Sequence, residues 1–147
     1  MGPSAYYLRN TFNPKLLRAT VHAVNRKLKN MAKDLTWDVL AFRGNSGAGV
    51  CYALAYKYGW NICCMRKPAE KSHGQMVEAS IHFDSYLIVD DFMSSGSTVR
   101  GMIEDMHDEV KRARCVGVLL YSQAAPRRIV PLDSERVVAY GMGRSSK

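Results

Sequence analysis

The stretch Leu87-Ile88-Val89-Asp90-Asp91-Phe92-Met93-Ser94-Ser95-Gly96-Ser97-Thr98 constrains this chain more than any other. Tyr86 to Val89 is continuously apolar, as a strand covered on both faces must be, and it runs straight into two carboxylates. A turn of small hydroxylated residues and glycine follows, after which Val99, Met102, Ile103, Met106 and Val110 recur at helical spacing. A buried strand that carries charge to its end and then starts a helix is the unit of a parallel α/β sheet. In such sheets ligands collect at the carboxyl ends of the strands. Backbone N–H groups of a Gly/Ser/Thr turn, the neighbouring hydroxyls and the positive end of a helix dipole together cradle a dianionic phosphate. Adjacent carboxylates accept hydrogen bonds from a sugar diol. A ligand that offers both features is a ribose phosphate.

The rest of the chain shows the same alternation. Asn13-Pro14 predicts a helix start, with asparagine as cap and proline in the first turn. From residue 14 to about 33, Leu17, Val21, Val24, Leu28 and Met31 share one face, while Arg18, His22, Arg26, Lys29 and Lys33 fall opposite. Trp37 to Phe42 reads as a strand, Arg43-Gly44-Asn45-Ser46-Gly47 as a turn, and about Gly49 to Tyr58 as a helix. Asn61 to Met65 is a second strand. The polar stretch Arg66 to Gln75 has almost nothing to bury and is expected to be a mobile loop. Cys115 to Tyr121 is a further buried strand, and Arg136 to Tyr140 a short edge strand beyond a less regular segment that begins after Gln123. No internal repeat is visible. The expected architecture is α/β, a single domain over 1-147 with its core at about 37-121 and a mainly parallel sheet flanked by helices.

Composition narrows the function classes. At 147 residues, 47% hydrophobic and 23% charged, the chain suits one domain with a real core and excludes a tandem array. No run approaches the roughly 18 apolar residues of a membrane span, so no membrane partner is expected. Four cysteines without a CxxC pair read as reduced core thiols, and vicinal Cys63 and Cys64 point to opposite faces of a strand, which leaves no shared metal. The start Met1-Gly2-Pro3-Ser4-Ala5-Tyr6 lacks a myristoylation signal and an apolar h-region. The acid-poor helix that follows could be read as a transit peptide, but its cap and its direct lead into a strand favour a structural element, and the expected location is cytoplasmic. The formal charge is +8, and between Met1 and Lys33 there are seven basic residues and no acid. Partners should be anionic, either phosphates or nucleic acid.

The stretch from Leu87 to Thr98 resembles the phosphoribosyl pyrophosphate (PRPP) signature of the type I phosphoribosyltransferases: apolar strand, paired acids, then small-small-Gly-x-Thr. Phe92 is bulkier than the aliphatic residue usual there. Arg43, Gly44, Asn45, Ser46 and Gly47 stand where the family has its pyrophosphate loop, often with a non-proline cis peptide. Arg66-Lys67 and Lys71-Ser72-His73-Gly74 are similar to the flap of orotate phosphoribosyltransferases, with one extra residue between Lys67 and Lys71. The resemblance implies that Ser94, Ser95, Gly96, Ser97 and Thr98 hold the 5′-phosphate and that Asp90 and Asp91 face the ribose diol. Lys71 and His73 would close over the leaving pyrophosphate, with Arg66 and Lys67 at the base of the flap. It further implies Mg2+ held mainly by PRPP oxygens with no cage of protein ligands, a nucleobase as acceptor, a hood built from the chain ends, and a place in nucleotide biosynthesis or nucleobase salvage. Family members often pair so that the flap reaches a neighbouring site, which makes a homodimer a partner to expect.

The base stays open. Ser94 stands where hypoxanthine-type relatives carry an acid, which argues against a 6-oxopurine, and the flap favours orotate or another pyrimidine. The N-terminal Ser-Gly…Ser-Pro pattern and the Tyr-Lys-Gly of orotate enzymes are absent from this sequence. Two other motifs fail: Ala48 stands where a nucleophile elbow needs glycine, and Tyr52 where a dinucleotide fingerprint needs Gly or Ala. A reading of another class is a PRPP-sensing or RNA-binding regulator on the same fold, motivated by the basic helix face.

Overall fold

The computed structural model describes residues 13–67, 75–93, 96–124, 127–131 and 136–143. Helix α1 (Pro14–Met31) starts where the Asn-Pro pair predicts: Asn13 Oδ1 accepts from the backbone N–H groups of Lys15 and Leu16 at 3.0 and 3.1 Å. Then come β1 (Val39–Phe42), α2 (Asn45–Tyr58), β2 (Ile62–Met65), β3 (Val77–Ala79) and β4 (Ser85–Asp90). The chain continues through α3 (Ser97–Glu109), β5 (Arg114–Leu120), β6 (Arg127–Pro131) and β7 (Arg136–Tyr140). The strands form one sheet in the order β3-β2-β1-β4-β5-β7-β6. Its five central strands run parallel, and β3 and β6 lie antiparallel at the two edges.

Strand alternation sorts the core into two layers. Val39, Ala41, Tyr86, Ile88, Val118 and Leu120 face α3, where they meet Val99, Met102 and Met106. Leu40, Phe42, Leu87, Val89 and Leu119 face the other way, onto Val21, Val24 and Leu28 of α1 and Val50, Cys51 and Leu54 of α2. The continuous apolar run of β4 is therefore what a strand covered on both faces requires. A polar lock adds to the second layer: buried Asn25 of α1 accepts from Trp60 Nε1 at 2.8 Å, and Trp60 stacks on Trp37 with centroids 5.8 Å apart.

The structure differs from the sequence reading in four places. Helix α2 begins at Asn45 rather than near Gly49, because Gly44 takes φ +84° and turns the chain so sharply that the helix follows at once. Arg136–Tyr140 is not an edge strand: it pairs with β5 on one side and β6 on the other, and β6 arises from the segment expected to be irregular. Pro131, which cannot donate to a ladder, sits at the end of that outer strand. Residues 127–131 and 136–140 thus extend the sheet as an antiparallel pair, while residues 1–12, the other proposed part of the hood, lie outside the described residues. Strand β3, of three residues, was not legible at the far end of the polar stretch. Of the expected mobile loop, residues 68–74 lie outside the described residues, and its base is closed by the Arg66 N–H donating to the Met76 carbonyl at 2.7 Å.

Cys51 and Cys63 are buried, Cys64 and Cys115 half-buried, and all four are free thiols. Burial pushes the Cys63 thiol up to about 12 and raises Cys51 as well, which makes both inert as nucleophiles. Among the described residues no helix is long and apolar enough to cross a membrane.

Candidate active site

β1 and β4 are neighbours, but the chain leaves them in opposite directions, to α2 over one face and to α3 over the other. That divergence opens a crevice at their carboxyl ends. It is a cleft of about 390 Å³ walled by residues 43–46, Lys67, residues 90–93 and the first turn of α3. Both helices that abut it start at a left-handed glycine, Gly44 at φ +84° and Gly96 at φ +86°. Neither glycine has a side chain with which to cap the first amides, so the partial positive charge of two helix dipoles meets in one cleft.

Below the cleft the packing is close. A Cβ on Gly47 would lie 2.7 Å from the Val89 carbonyl oxygen and 2.8 Å from Phe42 Cβ, so only glycine lets α2 start this near to the ends of β1 and β4. Ser46 is held from both sides, its Oγ donating to Asp90 Oδ1 at 2.9 Å and its carbonyl accepting from the Tyr121 hydroxyl at 2.8 Å. Asp90 Oδ1 also accepts from the Asp91 N–H at 2.9 Å, and Asp91 Oδ1 from the Phe92 N–H at 2.8 Å. These bonds fix the orientation of both carboxylates before any ligand arrives. Asp91 is only 7% exposed. Desolvation raises the Asp90 carboxyl to about 6; the hydrogen bonds from the Asp91 amide and Ser46 oppose the rise, and the adjoining Asp91 charge adds to it. A carboxylate held so far above its ordinary value gains from any ligand that donates to it.

The sequence-predicted residues divide into those the cleft gathers and those it does not. Arg43, Gly44, Asn45, Ser46, Lys67, Asp90, Asp91, Gly96, Ser97 and Thr98 line it. Gly47 lies beneath it rather than on its wall. The Arg66 guanidinium pairs with Glu78 on β3, and Arg66 is not among the residues of the wall. The Arg43 side chain, 10% exposed, is committed elsewhere: its guanidinium meets Asp105 of α3 at 2.8 Å and donates to the carbonyls of Met65 and Arg66. It ties β1, β2 and α3 together. Lys71, His73, Ser94 and Ser95 lie outside the described residues. All peptide bonds among the described residues are trans. Sequence reasoning missed Tyr121 and Asp105, because nothing local marks a residue whose partner is 75 or 62 positions away. It noted Phe92 only as bulky; the ring is 46% exposed and lines the cleft.

No protein-family model matches the sequence, and no curated protein matches it. Solved structures do. UMP synthase of Leishmania donovani superposes with a TM-score of 0.63 at 17% identity, covering 78% of this chain and 24% of that one. The chain has the type I phosphoribosyltransferase fold. Orotate phosphoribosyltransferase of Francisella tularensis shares that fold at a TM-score of 0.60 and 17% identity, covering 80% of this chain and 56% of that one. An adenine phosphoribosyltransferase does so at 0.62 and 16%, covering 88% and 81%. The chain therefore spans less than two thirds of the orotate-type structures it matches and most of the adenine-type one. In this phosphoribosyltransferase fold, the Asp90–Asp91 pair and both glycine-started helices stand at the sheet's switch point.

Proposed function

We propose that the chain is a phosphoribosyltransferase that joins the 5-phosphoribosyl group of PRPP to a nucleobase, orotate or another pyrimidine, with release of pyrophosphate. The observation that carries this reading is the convergence of two pre-oriented carboxylates and two glycine-started helices on one cleft. A ligand with two phosphate-bearing ends and a diol between them uses every part of it.

In this reading the 5′-phosphate sits on the start of α3 at Gly96, Ser97 and Thr98, and the ribose diol donates to Asp90 and Asp91. The pyrophosphate lies over Gly44, Asn45 and Ser46, with Lys67 above it; Arg43 positions this loop through Asp105 instead of binding the ligand. As the bond at C1 breaks, positive charge grows on the ribose and negative charge on pyrophosphate. The fixed carboxylates stabilise the first, and the α2 start with Lys67 the second. Lys71 and His73 are proposed to close over the leaving group and exclude water. The Phe92 ring offers a flat apolar face on which a base can stack. Magnesium fits the carboxylate oxygens of Asp90 and Asp91. The ion would ride mainly on PRPP oxygens and would supply positive charge at the leaving group.

Pyrophosphate release from Mg·PRPP, measured against orotate, uracil, adenine, hypoxanthine, guanine and xanthine, tests the reading. Release with one base identifies the acceptor. Silence across the panel with PRPP still bound would overturn the transferase in favour of a PRPP sensor.

A further inference from the structure

The exposed side of α1 carries a row of basic residues with no acid among them. Lys15, Arg18, His22, Arg26 and Lys29 are all exposed and fall within an arc of roughly 80° at the helical 100° per residue. Exposed Lys33, just past the helix end, prolongs the row to about 27 Å at 1.5 Å rise per residue. Among the described residues none of these side chains is in an ion pair, and no acid precedes Asp34 in the chain. The row does not end at the helix. His22 Nδ1 lies 3.2 Å from the Tyr58 hydroxyl at the end of α2, and Lys57 Nζ stands 5.6 Å over the Tyr58 ring. On the same helix α2, Tyr56 is 94% exposed and Tyr52 59% exposed. A line of basic residues spaced every three or four positions, beside a helix that exposes aromatic rings, is the combination that tracks a phosphate backbone and stacks unpaired bases.

We propose that the α1 row and the exposed end of α2 bind a single-stranded nucleic acid, at a site separate from the PRPP cleft. A bilayer is the wrong occupant, because Val21, Val24, Leu28 and Met31, the apolar side an interfacial helix would insert, are buried against the sheet. A duplex is disfavoured because its bases are already stacked inside it and would leave the exposed Tyr52 and Tyr56 rings unused. An acidic protein would need a central apolar anchor, and the row holds none. A flexible strand needs only a line of charge and nearby rings. Its phosphates would follow Lys15 to Lys33 while bases reach Tyr52 and Tyr56, which share one face of α2.

The test uses the full chain and fluorescein-labelled 20-mers of oligouridylate and oligothymidylate, with anisotropy read from 0.05 to 0.3 M KCl. Five phosphate contacts, one for each Lys and Arg of the row, give a log-log salt slope of about −3.5 for a single strand. Replacing three of the cations (Arg18→Gln, Arg26→Gln, Lys29→Gln) should bring the slope to about −1.5 and weaken binding about 100-fold at 0.1 M salt. PRPP binding and the melting temperature should be unchanged. Lys15→Gln with Lys33→Gln removes the other two charges beside Arg18, Arg26 and Lys29 and should weaken binding about 25-fold, which decides the matter if the first variant does not fold. Binding of either oligonucleotide with this loss supports the proposal, and the ratio between them says whether the 2′-hydroxyl is read. It is overturned by no binding at 0.1 M KCl, by binding that both variants retain, by tighter binding of a duplex, or by equal binding of polyglutamate or phosphatidylserine vesicles. None of these outcomes touches the cleft, so it stands or falls separately from the transferase reading.

Discussion

Helix α1 and the pair α2 and α3 meet the same local problem with opposite solutions. Every helix begins with amides that have no partner inside it. Helix α1 supplies its own oxygen, from Asn13, and α2 and α3 begin at glycines that have none to give. The capped helix starts away from the cleft's walls, and the two glycine-started helices start on them. In the proposed reading, α1 satisfies its amides itself, and α2 and α3 leave that role to an anionic ligand. The comparison turns a cap into a functional marker. Loss of a cap should cost stability and no binding, whereas changes at the glycine-started ends should cost binding first.

The largest effect that would break the comparison is at the carboxylates between the two glycine-started helices. Asp90→Asn with Asp91→Asn should lower PRPP turnover by about 10²–10³-fold, the scale of removing a pre-oriented electrostatic group. The fold should persist, because amides can still accept from the Asp91 and Phe92 N–H groups. Retained pyrophosphate release would remove the ribose assignment. Next in size is Gly47→Ala, where the added Cβ meets a backbone carbonyl at 2.7 Å. Overpacking on this scale costs about 2–3 kcal/mol, a drop of roughly 5–10 °C in melting temperature for a chain of this size. Gly101→Ala on α3, with nothing within 4 Å of the new methyl, is its control. It should gain about 0.5–1 kcal/mol from helix propensity. Equal effects at the two positions would show that α2's close approach to the strand ends is not what Gly47 is for.

Much of this was legible in the sequence, for reasons that are local. The apolar run of β4, the acids at its end, the Asn-Pro start of α1 and the helical stripe of α3 each combine a periodicity with a punctuating residue. They can be read within a dozen positions, and they give the parallel core and one wall of the cleft. What could not be read depends on distant partners. Arg43 lines the cleft as expected, but it carries no sign that Asp105 will take its guanidinium and that it will hold three elements together. Strands β3 and β6 are short, lie at the edges and alternate weakly, and they are strands only because β2 and β7 offer free ladders. Lys71 and His73 have a motif but lie outside the described residues, so the flap rests on resemblance alone.

A smaller and sharper effect is titration of Asp90. Burial raises its carboxyl to about 6, above the value it takes in an unfolded chain, so the native state holds the proton longer. The associated stability is present at low pH and is lost as pH rises from about 4 to about 6, and it changes no further above that. Asp90→Asn should therefore gain on the parent chain across that window and hold the gain at neutral pH. A carboxyl NMR titration should show a midpoint near 6 in the free protein. Mg·PRPP should move it down, because diol hydroxyls donate to the anion and the metal ion offsets the negative charge of the phosphates. Asp38 is the internal control, held below its ordinary value chiefly by the Asp84 N–H with help from Ser85 and away from the cleft. Its midpoint should ignore PRPP. A common shift of both would mean a global change in the protein and not a ligand on Asp90.

The smallest predicted effect returns to the cap. Asn13→Ala removes an oxygen that accepts from the N–H groups of Lys15 and Leu16, and caps of this kind contribute about 1 kcal/mol. A fall of roughly 2–4 °C in melting temperature follows for a domain of this length. PRPP affinity should be unchanged, since α1 starts on no wall of the cleft. Gly96→Ala is the matching change at a glycine-started end. There a side chain at φ +86° is strained, and its Cβ would stand 3.3 Å from Val130 Cγ1, which displaces the amides of α3. That variant should lose a comparable amount of stability and, unlike the first, weaken PRPP by tenfold or more, an extra 1.4 kcal/mol at the ligand. If the two variants instead lose stability alike and leave PRPP binding alike, glycine at a helix start here serves only the turn, and the distinction between capped and glycine-started helices has no functional content.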